Sequence, residues 1–211
     1  MKEIIKALNW RYAVKKFDET KLIDNDTIDS LLETLRLSPS SYGLQPWKFI
    51  VVKNKEIREK LKGAAYGQGQ ITDASHLLVL AVRKDINEAY VDSYISSIAS
   101  TRGIEVEKLE GLSKMIKGSI SGMSQNDLLS WSTHQVYLAL GVLIASCAIE
   151  GIDACPMEGF DRNEFDKILD LPNQNLESRA VVAIGFRSKD DGESHAPKVR
   201  FSKEEIFIEL N

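Results

Sequence analysis

Residues 38–47 read Ser38-Pro39-Ser40-Ser41-Tyr42-Gly43-Leu44-Gln45-Pro46-Trp47, a hydroxyl-rich turn with two prolines that separates a helical pattern from a strand. Upstream, Ile28, Leu31, Leu32 and Leu35 recur at helical spacing behind Asp24, which is placed to cap the helix, and Pro39 ends it. Downstream, Trp47 to Val52 (WKFIVV) reads as a strand, followed by a charged amphipathic helix around Lys55 to Lys62. Ser and Pro are common at such a helix stop for backbone reasons alone. The same turn nevertheless presents two hydroxyls and several free N–H groups just beyond a helix end.

The rest of the chain continues a mixed pattern of helices and strands without internal repeats. Leu77 to Val82 (LLVLAV) and Arg179 to Phe186 (RAVVAIGF) are short apolar runs that suit interior strands. Val136 to Ile149 is an apolar run of 14 residues, short of the roughly 20 that cross a bilayer, and reads as a helix buried nearly all round by other helices. Either Ser124 or Asn126 is placed to start it and Gly151 to end it. Asp161 followed by Glu164 has the form of a capping box. Asn87 to Met123, with few strong apolar anchors, is expected to form helical excursions and loops over the surface. Gly185 to Arg200 reads as an irregular polar arm, and Ile206 to Leu210 as a terminal strand or a helical turn.

Composition narrows the function classes. At 211 residues the chain can bury most of its apolar surface without covalent staples. A formal charge of −4, with 27 basic and 31 acidic side chains interspersed, provides no basic stripe for nucleic acid. Cys147 and Cys155 lack ligand spacing and read as reduced core thiols. His76, His134 and His195 are scattered, so no metal site is expected. No GxSxG, Walker or GxGxxG fingerprint is present. The amino-terminal stretch has neither a long apolar segment nor a small-residue cleavage site, so the expectation is a cytoplasmic protein without nucleic-acid or membrane partners.

Chemistry concentrates in three separated segments. Arg11-Tyr12-Ala13-Val14-Lys15, Ser38-Pro39-Ser40-Ser41 and Lys198-Val199-Arg200 carry the cations and hydroxyls that partner a terminal phosphate. Arg11 and Lys15 share a face if their stretch is helical; Lys198 and Arg200 share one if theirs is extended. Between these segments lie Gln45-Pro46-Trp47, Trp131-Ser132-Thr133-His134-Gln135-Val136-Tyr137 and Ala154-Cys155-Pro156-Met157-Glu158-Gly159-Phe160.

In this combination and order, from Arg11 to Arg200, the chain resembles the FMN-dependent nitroreductase family, in particular the oxygen-insensitive NAD(P)H nitroreductase and dihydropteridine reductase branch. The resemblance implies an α+β fold, a central mostly antiparallel sheet flanked by helices, in one domain over 1–211 with a helical excursion about 87–123 and a carboxyl-terminal arm about 187–211. It implies a homodimer with FMN at the subunit interface. Arg11, Tyr12, Ala13, Lys15, Gln135, Pro156, Met157, Glu158, Gly159, Lys198 and Arg200 are then cofactor-binding residues, with the backbone N–H of Glu158 pointing at the flavin N5 atom. Arg11, Lys15, Gln135, Glu158, Lys198 and Arg200 would come from one subunit and Ser40 and Ser41 from its partner.

The chain departs from that branch at three places. An Asn and a Lys that bind the flavin's pyrimidine edge precede an Asp-Ala-Ser-His stretch in the branch. Here Asp73-Ala74-Ser75-His76 follows Tyr66-Gly67-Gln68-Gly69-Gln70, so Gly67 and Gln70 hold those places and Gln68 and Gln70 become the candidate ring-edge contacts. Gly43 stands where the branch carries Asn. Tyr42, Tyr66 and Phe160 are candidates for the substrate-pocket wall. The activity implied is ping-pong, two-electron hydride transfer from NAD(P)H to a nitroaromatic, quinone or similar small-molecule acceptor. Dihydropteridine or free-flavin reduction on the same site is an alternative, as is a non-enzymatic flavin-binding or regulatory module.

Overall fold

Leu77–Val82 and the run from Arg179 lack the polar alternation of a half-buried strand because both faces of their sheet are covered. The computed structural model describes residues 2–210, so Met1 and Asn211 of the expected 1–211 domain lie outside the described residues. Strands β1 (Trp47–Val52), β2 (His76–Arg83), β3 (Asp153–Met157) and β4 (Leu176–Gly185) form one sheet in the order β1-β2-β4-β3, with every pairing antiparallel. The two runs read as interior strands are the two central ones.

Side chains of alternate strand residues enter opposite layers. Leu78, Leu80, Val82, Ala180, Val182 and Ile184 pack with helices α2 (Asn25–Arg36) and α7 (Gln125–Ile149). Leu77, Val79, Val181 and Ala183 meet α3 (Lys55–Ala64), α4 (Gln70–Asp73) and α8 (Arg162–Ile168) through Leu61, Ile71 and Phe165. The β2–β4 register slips between Leu80 and Ala81, which pair with Ala180 and Ser178 and leave Arg179 unpaired in the ladder. That bulge turns the Arg179 guanidinium toward α7, where it donates to Thr133 Oγ1 at 2.9 Å.

Local signals account for most helix ends. Asp24 accepts from Thr27 N at 2.8 Å and starts α2. Ser124 caps α7, and Gly151 follows its end at φ 68°. Asp161 caps α8 by accepting from Glu164 N at 3.1 Å, but no reciprocal bond from Glu164 closes a capping box. The Asp161 N–H is already donated to Ala64 O at 2.8 Å, so the Glu164 carboxylate has no donor left to take. The capping box lies instead at Ser202 and Glu205, opening α9 (Lys203–Ile206). The alternatives for the chain's end resolve accordingly: a short helical turn, then exposed Phe207 to Leu210 without regular structure.

Three expectations change. Helix α7 runs 25 residues, and Leu138 (47 % exposed) and Ile149 (57 %) face outward, so it is not enclosed all round. By length and composition it is the one helix among the described residues that qualifies to cross a membrane, yet here it lies against α1 (Lys2–Trp10), α2 and the sheet. The excursion is better anchored than its composition suggests: α5 (Glu88–Arg102) and α6 (Glu110–Ser121) bury Val91, Ile95, Ile98, Ile116 and Ile120 in a core of their own. Residues 11–15 are not helical, because α1 stops at Trp10 and Ala13 then forms a parallel bridge with Ala154 on β3.

Candidate functional site

The Ala13–Ala154 bridge explains how two sequence-distant segments become neighbours. β3 pairs with β4 along one edge only, and Pro156, which lacks an N–H, is tolerated on such an edge. Residues 11–15 lie along the other edge. Pro156 and Met157 therefore end a strand, and only Glu158 and Gly159 emerge as exposed loop.

The carboxyl-terminal arm closes onto the same segment. Phe17 bridges Arg187, Ser188 N donates to Lys16 O at 2.9 Å, and Asp18 N donates to Phe186 O at 2.8 Å. Arg187 pairs with Asp153 (Nη2 to Oδ1, 2.6 Å), and its guanidinium lies 4.3 Å from the Trp10 ring centroid and 4.5 Å from that of Tyr12. Beyond this anchor the arm delivers Lys198 and Arg200 to a cleft of about 450 Å³ whose walls also include Arg11, Tyr12, Ala13 and Lys15. Both ends of the chain thus meet in one cationic cleft.

The electrostatics of that cleft are those of an anion receptor. Burial, then the neighbouring Arg200, lowers the pKa of Arg11. Burial, then Arg11 and Arg200, lowers that of Lys198. The Lys198 ammonium donates to the Arg11 backbone carbonyl, and the exposed Arg200 donates to Val199 O at 2.6 Å. Arg11 Nε is buried and has no hydrogen-bond partner in the protein. A buried unsatisfied donor amid like charges is stabilised by an incoming anion with several acceptor oxygens.

A second group forms around the serine turn. Ser40 Oγ accepts from Gln45 N at 2.9 Å, and Ser41 N donates to Gln135 Oε1 at 2.9 Å. Gln135 therefore accompanies Ser40 and Ser41 of its own chain, which revises its expected grouping with Arg11 and Lys198. Tyr42 (φ 57°) and Gly43 (φ 75°) both adopt left-handed backbone, and Tyr42 Oη donates to Ser119 Oγ at 3.3 Å. A Cβ at position 43 would stand 2.2 Å from Tyr94 Oη, so the Tyr94 phenol fills the space a side chain there would take.

The remaining expected residues divide. Gln68 Nε2 donates to Gly159 O at 2.7 Å and so braces the loop after β3. Gln70 is 7 % exposed and turned inward toward Cys155, whose thiol is pushed up chiefly by burial. Phe160 lies in the core rather than on a pocket wall, its ring 4.5 Å from that of Phe165, because the short turn after Gly159 must seal the base of α8. Tyr66 is exposed at the end of α3. Burial, and then the adjacent Glu158 carboxylate, pushes Tyr137 up to about 12.

Sequence reading missed Asp191, Arg187, Tyr94 and Tyr137 as site neighbours. Tyr137 lay inside the quoted Trp131–Tyr137 stretch; the other three carry no local signal, since their partners are distant in sequence. Among the described residues no cluster of three potential metal ligands occurs.

The model of the Nitroreductase family matches residues 8–186. A Staphylococcus epidermidis protein provisionally named an NAD(P)H nitroreductase is 35 % identical over 212 residues, covering 97 % of this chain and 95 % of the relative. The crystal structure of a Bacillus subtilis protein provisionally named a nitroreductase superposes with a TM-score of 0.88 at 22 % identity, covering 100 % of both chains. Another, from Exiguobacterium sibiricum and in complex with FMN, superposes with a TM-score of 0.82 at 19 % identity, covering 99 % of this chain and 96 % of the other.

Proposed function

The chain belongs to the nitroreductase family, and from that premise we propose that it is an FMN-dependent NAD(P)H oxidoreductase, cytoplasmic and homodimeric, that reduces nitroaromatics, quinones or similar acceptors. The observation that carries the reading is the buried, partnerless Arg11 Nε in a cleft shared with Lys15, Lys198 and Arg200. The donor set fits the phosphate of FMN, as does the FMN complex of the Exiguobacterium sibiricum protein. FMN, when bound, supplies two-electron hydride transfer between NAD(P)H and the acceptor.

The protein's own contribution is binding and alignment. Arg11, Lys198 and Arg200 would hold the phosphate, with Lys15 lining the same cleft. Glu158 and Gly159 would offer backbone groups to the ring, with Gln68 holding Gly159 in place. Ser40, Ser41 and Gln135, grouped together within one chain, would complete the site from the partner subunit. No strong acid or base is required for the first half of the exchange, only a fixed pose and a site from which water is excluded. The whole chain acts as one domain, with the α5–α6 excursion bordering the acceptor's approach.

Two exposed apolar surfaces support the dimer. Ile5 and Leu8 are exposed on α1 and Leu138 and Ile149 on α7, which packs against it; in the tail, Phe201, Phe207, Ile208 and Leu210 are 64 to 93 % exposed. Light scattering should give twice the chain mass, and truncation after Arg200 should shift it toward the monomer.

The test of activity is the visible spectrum of the purified protein before and after anaerobic NADH or NADPH, with the released cofactor identified by mass. A flavin band that bleaches and returns on adding a quinone or nitroaromatic supports the proposal. A flavin that does not bleach favours a binding module, and a protein that cannot be reconstituted with FMN overturns the cofactor assignment.

A further inference from the structure

Asp191 is a buried carboxylate, 2 % exposed, on the arm before the two cleft cations. Its Oδ2 accepts from Tyr12 Oη at 3.1 Å, Lys15 N at 2.8 Å and Lys16 N at 3.2 Å, and its Oδ1 accepts from Glu193 N at 3.2 Å. Three of the four donors come from residues 12–16, at the opposite end of the chain. Among the described residues no Lys or Arg side chain forms an ion pair with it. Its charge is met entirely by backbone N–H groups and one phenol.

The position of this bond set matters as much as its strength. Arg187 already pins the root of the arm to Asp153 and to the rings of Trp10 and Tyr12. Tyr12 is thus held by its ring face and by its hydroxyl, from two points on the arm. After Asp191 the chain makes one short turn, Gly192–His195, and then passes Ala196 and Pro197 to reach Lys198. Asp191 is therefore the last buried attachment before the cations, which otherwise confront Arg11 with like charge. Like charge on Arg11, Lys198 and Arg200 opposes docking of the arm, and a buried anion clasping Tyr12, Lys15 and Lys16 counters it.

We propose that Asp191 is the positioning residue of the cationic cleft: by clasping Tyr12, Lys15 and Lys16 it holds the arm where Lys198 and Arg200 converge with Arg11, so that the cleft is assembled to receive a phosphate monoester before one binds. The inference rests on the reading of the cleft as the phosphate site of FMN. It assigns Asp191 no contact with the phosphate. The carboxylate acts through the residues it holds.

The experiment titrates the full-length chain, freed of flavin, with FMN and separately with riboflavin, which has the same ring system and no phosphate. In Asp191→Asn, the FMN dissociation constant should rise about tenfold or more, as expected when a hydrogen-bonded charged group is lost. Riboflavin affinity and the far-ultraviolet circular dichroism should stay unchanged. Tyr12→Phe, which removes a single donor and leaves Asp191 ionised, should give a smaller loss confined to FMN, and serves if Asp191→Asn does not fold. Equal losses for both flavins in a folded variant would reduce Asp191 to a general structural role and overturn the proposal, as would unchanged FMN affinity. Wild-type protein that binds FMN no more tightly than riboflavin would remove the phosphate reading itself, an outcome distinct from a wild type that discriminates and an Asp191 variant that discriminates equally well.

Discussion

Replacing Arg11 by Ala separates two effects that the cleft geometry sets against each other. In the protein alone, Arg11 Nε is buried without a partner, and burial and Arg200 both disfavour its charge. Lys198 bonds to the Arg11 backbone carbonyl, a contact that survives the substitution. The flavin-free variant should therefore keep its melting temperature within the few degrees that about 1 kcal/mol represents for a chain of this length. With FMN the sign reverses: a charge-assisted hydrogen bond contributes about 1.5–3 kcal/mol, so affinity should fall roughly 10- to 150-fold. At a concentration about 100 times the wild-type dissociation constant, FMN stabilises the wild type by about 2.7 kcal/mol. A tenfold weaker variant gains about 1.4 kcal/mol, which leaves its melting temperature at least about 3 °C short of the wild-type increment. Thermal unfolding followed by circular dichroism, with and without FMN, measures both quantities. An undiminished FMN increment refutes the role of Arg11; a large loss in the flavin-free protein refutes the electrostatic argument.

Gly43→Ala should cost about 1–2 kcal/mol for left-handed backbone, plus about 1–3 kcal/mol for displacing the Tyr94 hydroxyl that lies 2.2 Å from the new Cβ. In a Tyr94→Phe background the second cost should shrink, since the nearest remaining ring carbon stands 3.2 Å from the new Cβ, so denaturant titrations of the two single variants and the double variant should be non-additive. Burial pushes Cys147 up to about 12 and raises Cys155 as well, so a thiol reagent at neutral pH should label neither cysteine in the folded protein and both after unfolding. Burial tends to raise the Asp191 carboxyl, but hydrogen bonds from Lys15, Lys16, Glu193 and Tyr12 prevail and hold it below the usual range. The stability it contributes is present above the ordinary aspartate value of about 4 and is lost as pH falls through the folded value, so Asp191→Asn should flatten the acid limb of a stability–pH curve measured in urea.

What was legible in the sequence was local. Asp24, Ser124, Asp161 and Gly151 act within one helical turn, and the continuous apolar runs of β2 and β4 identify strands covered on both faces. WKFIVV marked β1 to the residue, and the Ser38–Trp47 turn declared itself by its chemistry. The two cation pairs were recognisable as residue types, and Arg11 and Lys15 still line one cleft although the bridge to Ala154 makes their segment extended rather than helical, because residues four apart share a face in either conformation.

The sequence by itself determined the helices behind Asp24, Asn54 and Ser124, the strand at Trp47–Val52, the interior strands and the residue types able to hold a phosphate, because capping, periodicity and side-chain charge are properties of neighbours within a few positions. Only the tertiary structure decided that Gln135 joins the serine turn, that Phe160 seals a core, that Tyr94 fills the space above Gly43 and that Asp191 clasps the amino-terminal segment. Asp191 and Lys15 are 176 residues apart. A bond across that separation depends on the sheet setting β3 beside the first strand-like segment, and nothing in the local chemistry of an Asp-Asp-Gly turn distinguishes it from a solvated loop.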